Sequence, residues 1–360
     1  MTKIGLLMTT YNEEANIERC LDSIKPYLDY YCIGVDKKTT DNTKQKILEV
    51  MKDTDIPGKV FDSPWNGFAD ARNQCLDQAD KTACDFFIYL DADHTLHVQD
   101  EKWREKLSTE HDGYTIPVIG GAMTHWLPWI LNTQSSYRWY SVLHEYVSFS
   151  GTPPENHGGI LDTLSIIHHY DGGGRAKGEG LYHADTLTFL KEFQTEKEEF
   201  LLRRYTFYLA QSCKDAGSKA DAIRYYKMRT VMGGWEEEIY ECWLAIGHLT
   251  NDADYYFKAI ETVPKRADAY IGVLKLGHTR GNWKILRKVL ELYEQVDQWN
   301  EVGLFMWPDN NWKVDDAAAL AYYEMEDMKN AKKVTRKLLD NPAVPDAEKE
   351  RLRQNLPWYA

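Results

Sequence analysis

Apolar residues in the first quarter of the chain fall into two alternating rhythms. Short strand-like stretches occur at residues 4–10, 31–35 and 59–61, and a continuous apolar run at 86–90. Between them the spacing opens to three and four residues. Ile17, Cys20, Leu21 and Ile24 predict a helix over 15–24, N-cap candidates at Thr40-Asp41-Asn42-Thr43 predict one through Met51, and a third is expected from Phe68 to Ala79. Strand and helix alternate with short connections, which predicts a mostly parallel sheet with helices on both faces. The last of these strands, Phe86-Phe87-Ile88-Tyr89-Leu90, runs straight into Asp91-Ala92-Asp93.

Beyond Asp93 the rhythm becomes mixed. Residues 114–118 read as a strand, and 166–171 end another. The segment 123–140 holds Trp126, Trp129, Tyr137, Trp139 and Tyr140 with little periodicity, and is expected to form an aromatic wall for an acceptor. His94 and His97 are expected in a loop. From about Phe189 the pattern is helical to the end, with similarity recurring near a 34-residue period. Leu209-Ala210, Cys213, Gly217, Ala222 and Tyr226 suggest one helix pair. Trp243-Leu244, Gly247, Tyr256, Ala259 and Pro264 suggest the next. Tyr270, Leu274, Gly277 and Leu286 suggest a third, and Leu320-Ala321, Ala331, Leu338 and Pro342 a last. The expected division is an α/β domain over 1–190 and an all-α repeat domain over 191–360.

Two carboxylates one residue apart at a strand's carboxyl end repel each other unless a cation neutralises them, and hard oxygen ligands suit magnesium or manganese. Three further motifs precede this one in order. They are Thr9-Thr10-Tyr11-Asn12-Glu13-Glu14, then Val35-Asp36 with Thr39-Thr40-Asp41-Asn42-Thr43, then Phe68-Ala69-Asp70-Ala71-Arg72-Asn73. Together the four resemble the family 2 glycosyltransferases of GT-A fold, over roughly residues 3–190. The likeness is closest to the branch with a C-terminal tetratricopeptide-repeat (TPR) region, which includes peptide S-glycosyltransferases of bacteriocin systems.

The resemblance implies roles. Thr9, Tyr11 and Glu13 would belong to the donor site, with Tyr11 offering an aromatic face to a pyrimidine, and Asp36 would accept from a uracil N–H. Arg72 would suit the nucleotide or diphosphate. Asp91 would lie near the ribose or metal shell and Asp93 would bind the divalent cation directly. His169 would complete the metal's protein ligands, with His168 on the opposite strand face; which of the two coordinates is open. Glu145, beside His144, resembles the base of an inverting transfer. Lys37-Lys38 depart from the family's small or acidic residues, as a solvated pair or as contacts to donor phosphates or an acidic acceptor. Gly172-Gly173-Gly174-Arg175 would form a loop able to close over the donor.

Composition narrows the picture further. A formal net charge of -13 disfavours a broad grip on nucleic acid while leaving room for a local basic groove. No apolar run approaches the roughly 20 residues of a membrane span, and the N-terminus reads as a strand rather than a signal peptide. Six cysteines without a Cys-x-x-Cys pair suggest a reduced, cytoplasmic setting. The expectation is therefore an inverting enzyme using manganese or magnesium. It would move a hexose from a UDP-sugar to a hydroxyl or thiol of a peptide, protein or glycan, with a homodimer through the helical domain as a further expectation. The alternatives are glycosylation of modified DNA bases and a TPR-type binding protein with an inactive transferase domain.

Overall fold

The computed structural model describes residues 2–52, 54–149, 158–171, 181–300 and 303–359. The chain divides into two compact units, Met1–Glu179 and Gly180–Ala360.

In the first unit, β1 (Ile4–Thr10), β2 (Tyr30–Asp36), β3 (Gly58–Ser63) and β4 (Phe86–Tyr89) alternate with α1 (Ile17–Ile24), α2 (Thr43–Lys52) and α3 (Phe68–Gln78). There follow β5 (His94–Val98), β6 (Gly113–Gly120), β7 (Met123–Asn132), β8 (Tyr137–Tyr140), β9 (Tyr146–Phe149), β10 (Gly158–Ile160) and β11 (Leu164–His168). The main sheet runs β3-β2-β1-β4-β7-β6-β11-β5, with β10 also on β6, while β8 and β9 form a separate ribbon. Strands β3, β2, β1 and β4 are mutually parallel, and β7 is antiparallel to both β4 and β6.

Local chemistry accounts for these choices. Strand β4 is apolar on both faces and fully buried, and β1 is buried except at half-buried Thr9, as a parallel sheet covered by helices requires. Helix α1 buries Ile17, Cys20, Leu21 and Ile24, the stripe its spacing predicts. The chain winds outward from β1 to β3 and then crosses back to β4 on β1's other side. That reversal opens a crevice at the carboxyl ends of β1 and β4, where ligands bind in open α/β sheets.

Two expectations are corrected here. Residues 123–132, expected to show little periodicity, form an internal strand, which fills the gap between β4 and β6 and bends at a bulge opposite Tyr114/Thr115 that accommodates Pro128. His94 and His97 lie in β5, paired antiparallel with β11, rather than in a loop.

The second unit is helical throughout its described length. Its helices are α4 (Leu181–Thr195), α5 (Glu199–Asp215), α6 (Lys219–Val231), α7 (Glu236–Thr250), α8 (Ala253–Thr262), α9 (Ala267–Thr279), α10 (Trp283–Tyr293), α11 (Asn310–Glu324), α12 (Met328–Asp340) and α13 (Asp346–Asn355). The four anticipated pairs correspond to α5 with α6, α7 with α8, α9 with α10, and α11 with α12, each packed on its partner. Small residues let the pairs close up: a Cβ at Gly277 would meet Leu286 at 2.6 Å. Inside this unit Arg266 is buried among Glu237, Glu241 and Asp268, with its guanidinium 4.6 Å from the centre of the Tyr240 ring.

Candidate active site

The first two motifs lock together. Asn12 takes a left-handed backbone (φ 53) and its Oδ1 accepts from the Thr40 amide at 2.8 Å. The Glu13 amide donates to Thr43 Oγ1 at 2.7 Å, and the Glu14 amide to Asp41 Oδ2 at 3.0 Å. The turn after β1 and the start of α2 therefore brace each other, fixing Tyr11 and Asp36 at neighbouring strand ends.

A cavity of about 630 Å³ opens at these ends. Thr9, Tyr11, Glu13, Asp36, Asp91 and Asp93 line it, all of them expected donor or metal residues. So does Lys38, whose amide donates to Asp36 Oδ1 at 2.9 Å; Lys37 is exposed. The Gly172-Gly173-Gly174-Arg175 segment lies outside the described residues.

The carboxyl end of β4 carries two charge clusters. In the first, buried Arg72 stands between acids. Its Nε donates to Glu145 Oε1 at 2.9 Å, and its Nη2 lies 2.8 Å from the same oxygen and 3.1 Å from Asp91 Oδ1. Trp139, Tyr89 and Trp129 surround the guanidinium at 4.8, 5.2 and 5.4 Å. Burial pulls the guanidinium's proton affinity down, but Asp91 and Glu145 outweigh it and the net shift is upward. Arg72 thus stays charged. Its neighbour Asn73 grips β8, donating to the Trp139 carbonyl and accepting its amide, each at 2.9 Å. Two of the expected wall residues, Trp129 and Trp139, are thereby packed around Arg72, while Tyr140 remains exposed and stacks on Tyr146.

The loop to Glu145 is conformationally costly, with Ser141 (φ 87) and His144 (φ 50) both in the left-handed region. Arg72 is the partner that holds the loop's carboxylate.

In the second cluster, Asp93 Oδ2 lies 3.1 Å from His168 Nε2, and Oδ1 lies 3.9 Å from His94 Nε2. Burial raises the Asp93 carboxyl, yet the hydrogen bond from His168 and the nearby imidazoles win, and the net shift is downward. His94 is shifted down, chiefly by burial. Its Nδ1 accepts the Asp91 amide at 3.3 Å, which assigns the ring proton to Nε2 in the neutral form.

His168, rather than the anticipated His169, is brought to Asp93. Strand β11 pairs His168 with His94 across the ladder, so alternation sends His169 to the other side. There His169 Nε2 meets Thr95 Oγ1 at 2.9 Å. The register of an antiparallel edge pair is what the motif spacing alone does not carry.

Asp93, His94 and His168 form a group able to hold a metal ion. Asp93 and His168, 3.1 Å apart, are close enough that both would hold one ion. One carboxylate and one imidazole suit manganese and leave positions for diphosphate oxygens and water. His94 is the third member of that group, its Nε2 facing Asp93 while Nδ1 meets the Asp91 amide.

Residues 6–160 match the family model "Glycosyl transferase family 2". Over 99 residues the chain is 36% identical to the teichoic acid poly(glycerol phosphate) polymerase of Staphylococcus epidermidis. The match takes in 27% of this chain and only 13% of that relative's length. Among solved structures, S. aureus TarS (residues 1–349) is similar at 16% identity and a TM-score of 0.33, covering 84% of this chain and 98% of that one. The mannosyltransferase PcManGT from Pyrobaculum calidifontis, solved with GDP-Man and Mn2+, is similar at 13% identity and a TM-score of 0.36, covering 76% and 87%.

Proposed function

We infer that this chain, whose residues 6–160 form a glycosyl transferase family 2 domain, moves a sugar from a nucleoside diphosphate donor to an acceptor nucleophile. The observation that carries this is the convergence of Tyr11, Asp36, Asp91, Asp93 and His168 on one cavity at the reversal point of the sheet. A pyrimidine base needs an aromatic face and an acceptor for its imide N–H, a ribose needs hydroxyl acceptors and a diphosphate a cation site, and Tyr11 with Asp36, Asp91, and Asp93 with His168 offer these. The preferred donor is a UDP-hexose, since Asp36 would accept the uracil N–H.

Asp93 and His168 would hold manganese or magnesium, which supplies Lewis-acid stabilisation of the leaving diphosphate's charge. Asp91, tied to Arg72, lies on the ribose side. Glu145 takes the proton of the acceptor hydroxyl or thiol as its oxygen or sulfur bonds the anomeric carbon. The C–O bond to the diphosphate breaks with its electron pair on the leaving group, and the anomeric centre inverts. Arg72 keeps Glu145 aimed through this step. The acceptor is a glycan, peptide or protein; identity to a teichoic acid poly(glycerol phosphate) polymerase supports the glycan. The helical unit would present the acceptor.

A thermal-shift screen of nucleotide sugars with and without manganese tests the reading, because a ligand raises stability by mass action. A UDP-sugar that raises Tm only with the cation is the expected result. No response to any nucleotide sugar, together with no donor hydrolysis, overturns it.

A further inference from the structure

Tyr170 is used by none of these steps, yet it is held at some cost. Its backbone lies in the left-handed region at φ 56, disfavoured for so bulky a residue. The residue is 45% exposed, so burial does not repay the strain. Its neighbours pin it on both sides. The His169 amide donates to the Asp93 carbonyl at 3.1 Å. Arg19 forks onto both oxygens of Asp171 at 2.8 Å, and Asn16 donates to the Asp171 carbonyl at 2.9 Å.

The ring's position explains what the pinning achieves. It lies on His168, with centroids 3.9 Å apart and planes 32° apart. On another side His94 meets His168 edge-on, with centroids 4.7 Å apart. The imidazole whose Nε2 faces Asp93 is therefore held between two rings. The end of β6 is shaped to admit the phenol: a Cβ at Gly120 would fall 2.2 Å from the Tyr170 hydroxyl and 2.6 Å from Cζ.

We propose that Tyr170 is a positioning residue for the cation, clamping His168 in the orientation that pairs it with Asp93. The inference rests on the divalent-cation reading above. Aromatic contact rather than the hydroxyl performs the clamping, and Gly120 is the recess that permits it. Groups that orient a metal ligand typically change affinity by one to two orders of magnitude when removed.

Manganese affinity, measured by electron paramagnetic resonance on the full chain without donor or acceptor, tests this directly. Tyr170→Ala should weaken manganese binding about tenfold, and Tyr170→Phe should restore it. Gly120→Ala, which displaces the phenol without removing it, should weaken binding in the same direction. Wild-type affinity in Tyr170→Ala overturns the clamp, as does a loss in Tyr170→Phe equal to that in Tyr170→Ala. A wild-type chain that fails to bind manganese even with UDP present overturns the cation reading itself, and the clamp with it.

Discussion

Arg72 grips Glu145 with two nitrogens on one carboxylate oxygen, Nε at 2.9 Å and Nη2 at 2.8 Å. The same Nη2 lies 3.1 Å from Asp91. One buried cation therefore couples the acid at the end of β4 to the acid proposed as base.

Replacing Arg72 should harm both stability and turnover. Arg72→Ala leaves two acids facing an apolar, aromatic pocket, and breaking a buried pair costs about 3–5 kcal/mol. Arg72→Lys restores charge but not the fork, so it should recover stability better than activity. Urea unfolding and transfer rates on the same samples check the split; a lysine variant with full activity would contradict it.

Glu145→Gln keeps a hydrogen-bonding partner for Arg72 but removes the proton acceptor. Donor affinity by calorimetry should stay within about threefold, while transfer should fall at least a hundredfold, the scale of general-base catalysis. Unchanged turnover would remove Glu145 from the chemistry.

The two neighbouring histidines separate cleanly. His168→Ala should abolish the manganese-dependent gain in Tm, as should Asp93→Ala, whereas His169→Ala should keep it. The reverse pattern would return the metal site to the residue favoured by motif spacing.

A fourth prediction concerns the helical unit. Burial pushes Glu241 up to about 8 despite Arg266 beside it, with Asp268 and Glu237 adding to the rise. The folded protein then holds a proton that the unfolded chain releases near the ordinary value of 4.5. Stability should therefore fall as pH rises from about 5 to about 8, by up to about 1.4 kcal/mol per pH unit for this group. Glu241→Gln should flatten that slope in denaturant titrations; an identical slope in the variant would refute the assignment.

The frame of the catalytic unit was legible because its signals are local. Ile17, Cys20, Leu21 and Ile24 announce a helix by spacing, and Phe86 to Leu90 announce a strand by continuity. The four helix pairs were legible for the same reason, through small and aromatic residues at a fixed period. What was missed depends on pairing between distant segments. Strand β7 hides because its outer half is half-buried and interrupted by Pro128, so no alternation survives. His94 and His168 meet only because β5 and β11 are adjacent, a register set by tertiary packing. The roles of Trp129 and Trp139 around Arg72 follow equally from contacts across the sheet rather than from the aromatic content of 123–140.

The grip of Asn73 on Trp139 has a mechanical consequence. A two-stranded ribbon such as β8–β9 is marginal by itself in water. The amide of Asn73 stands in for a missing third strand, satisfying Trp139's donor and acceptor together. It also blunts an edge that could otherwise recruit a foreign chain. Helix α3 is thus both splint and seal, and the residue beside its electrostatic clasp works as a fulcrum. Were Trp139 freed, the ribbon could pivot and carry Glu145 away from its partner without any ionisable group having been changed.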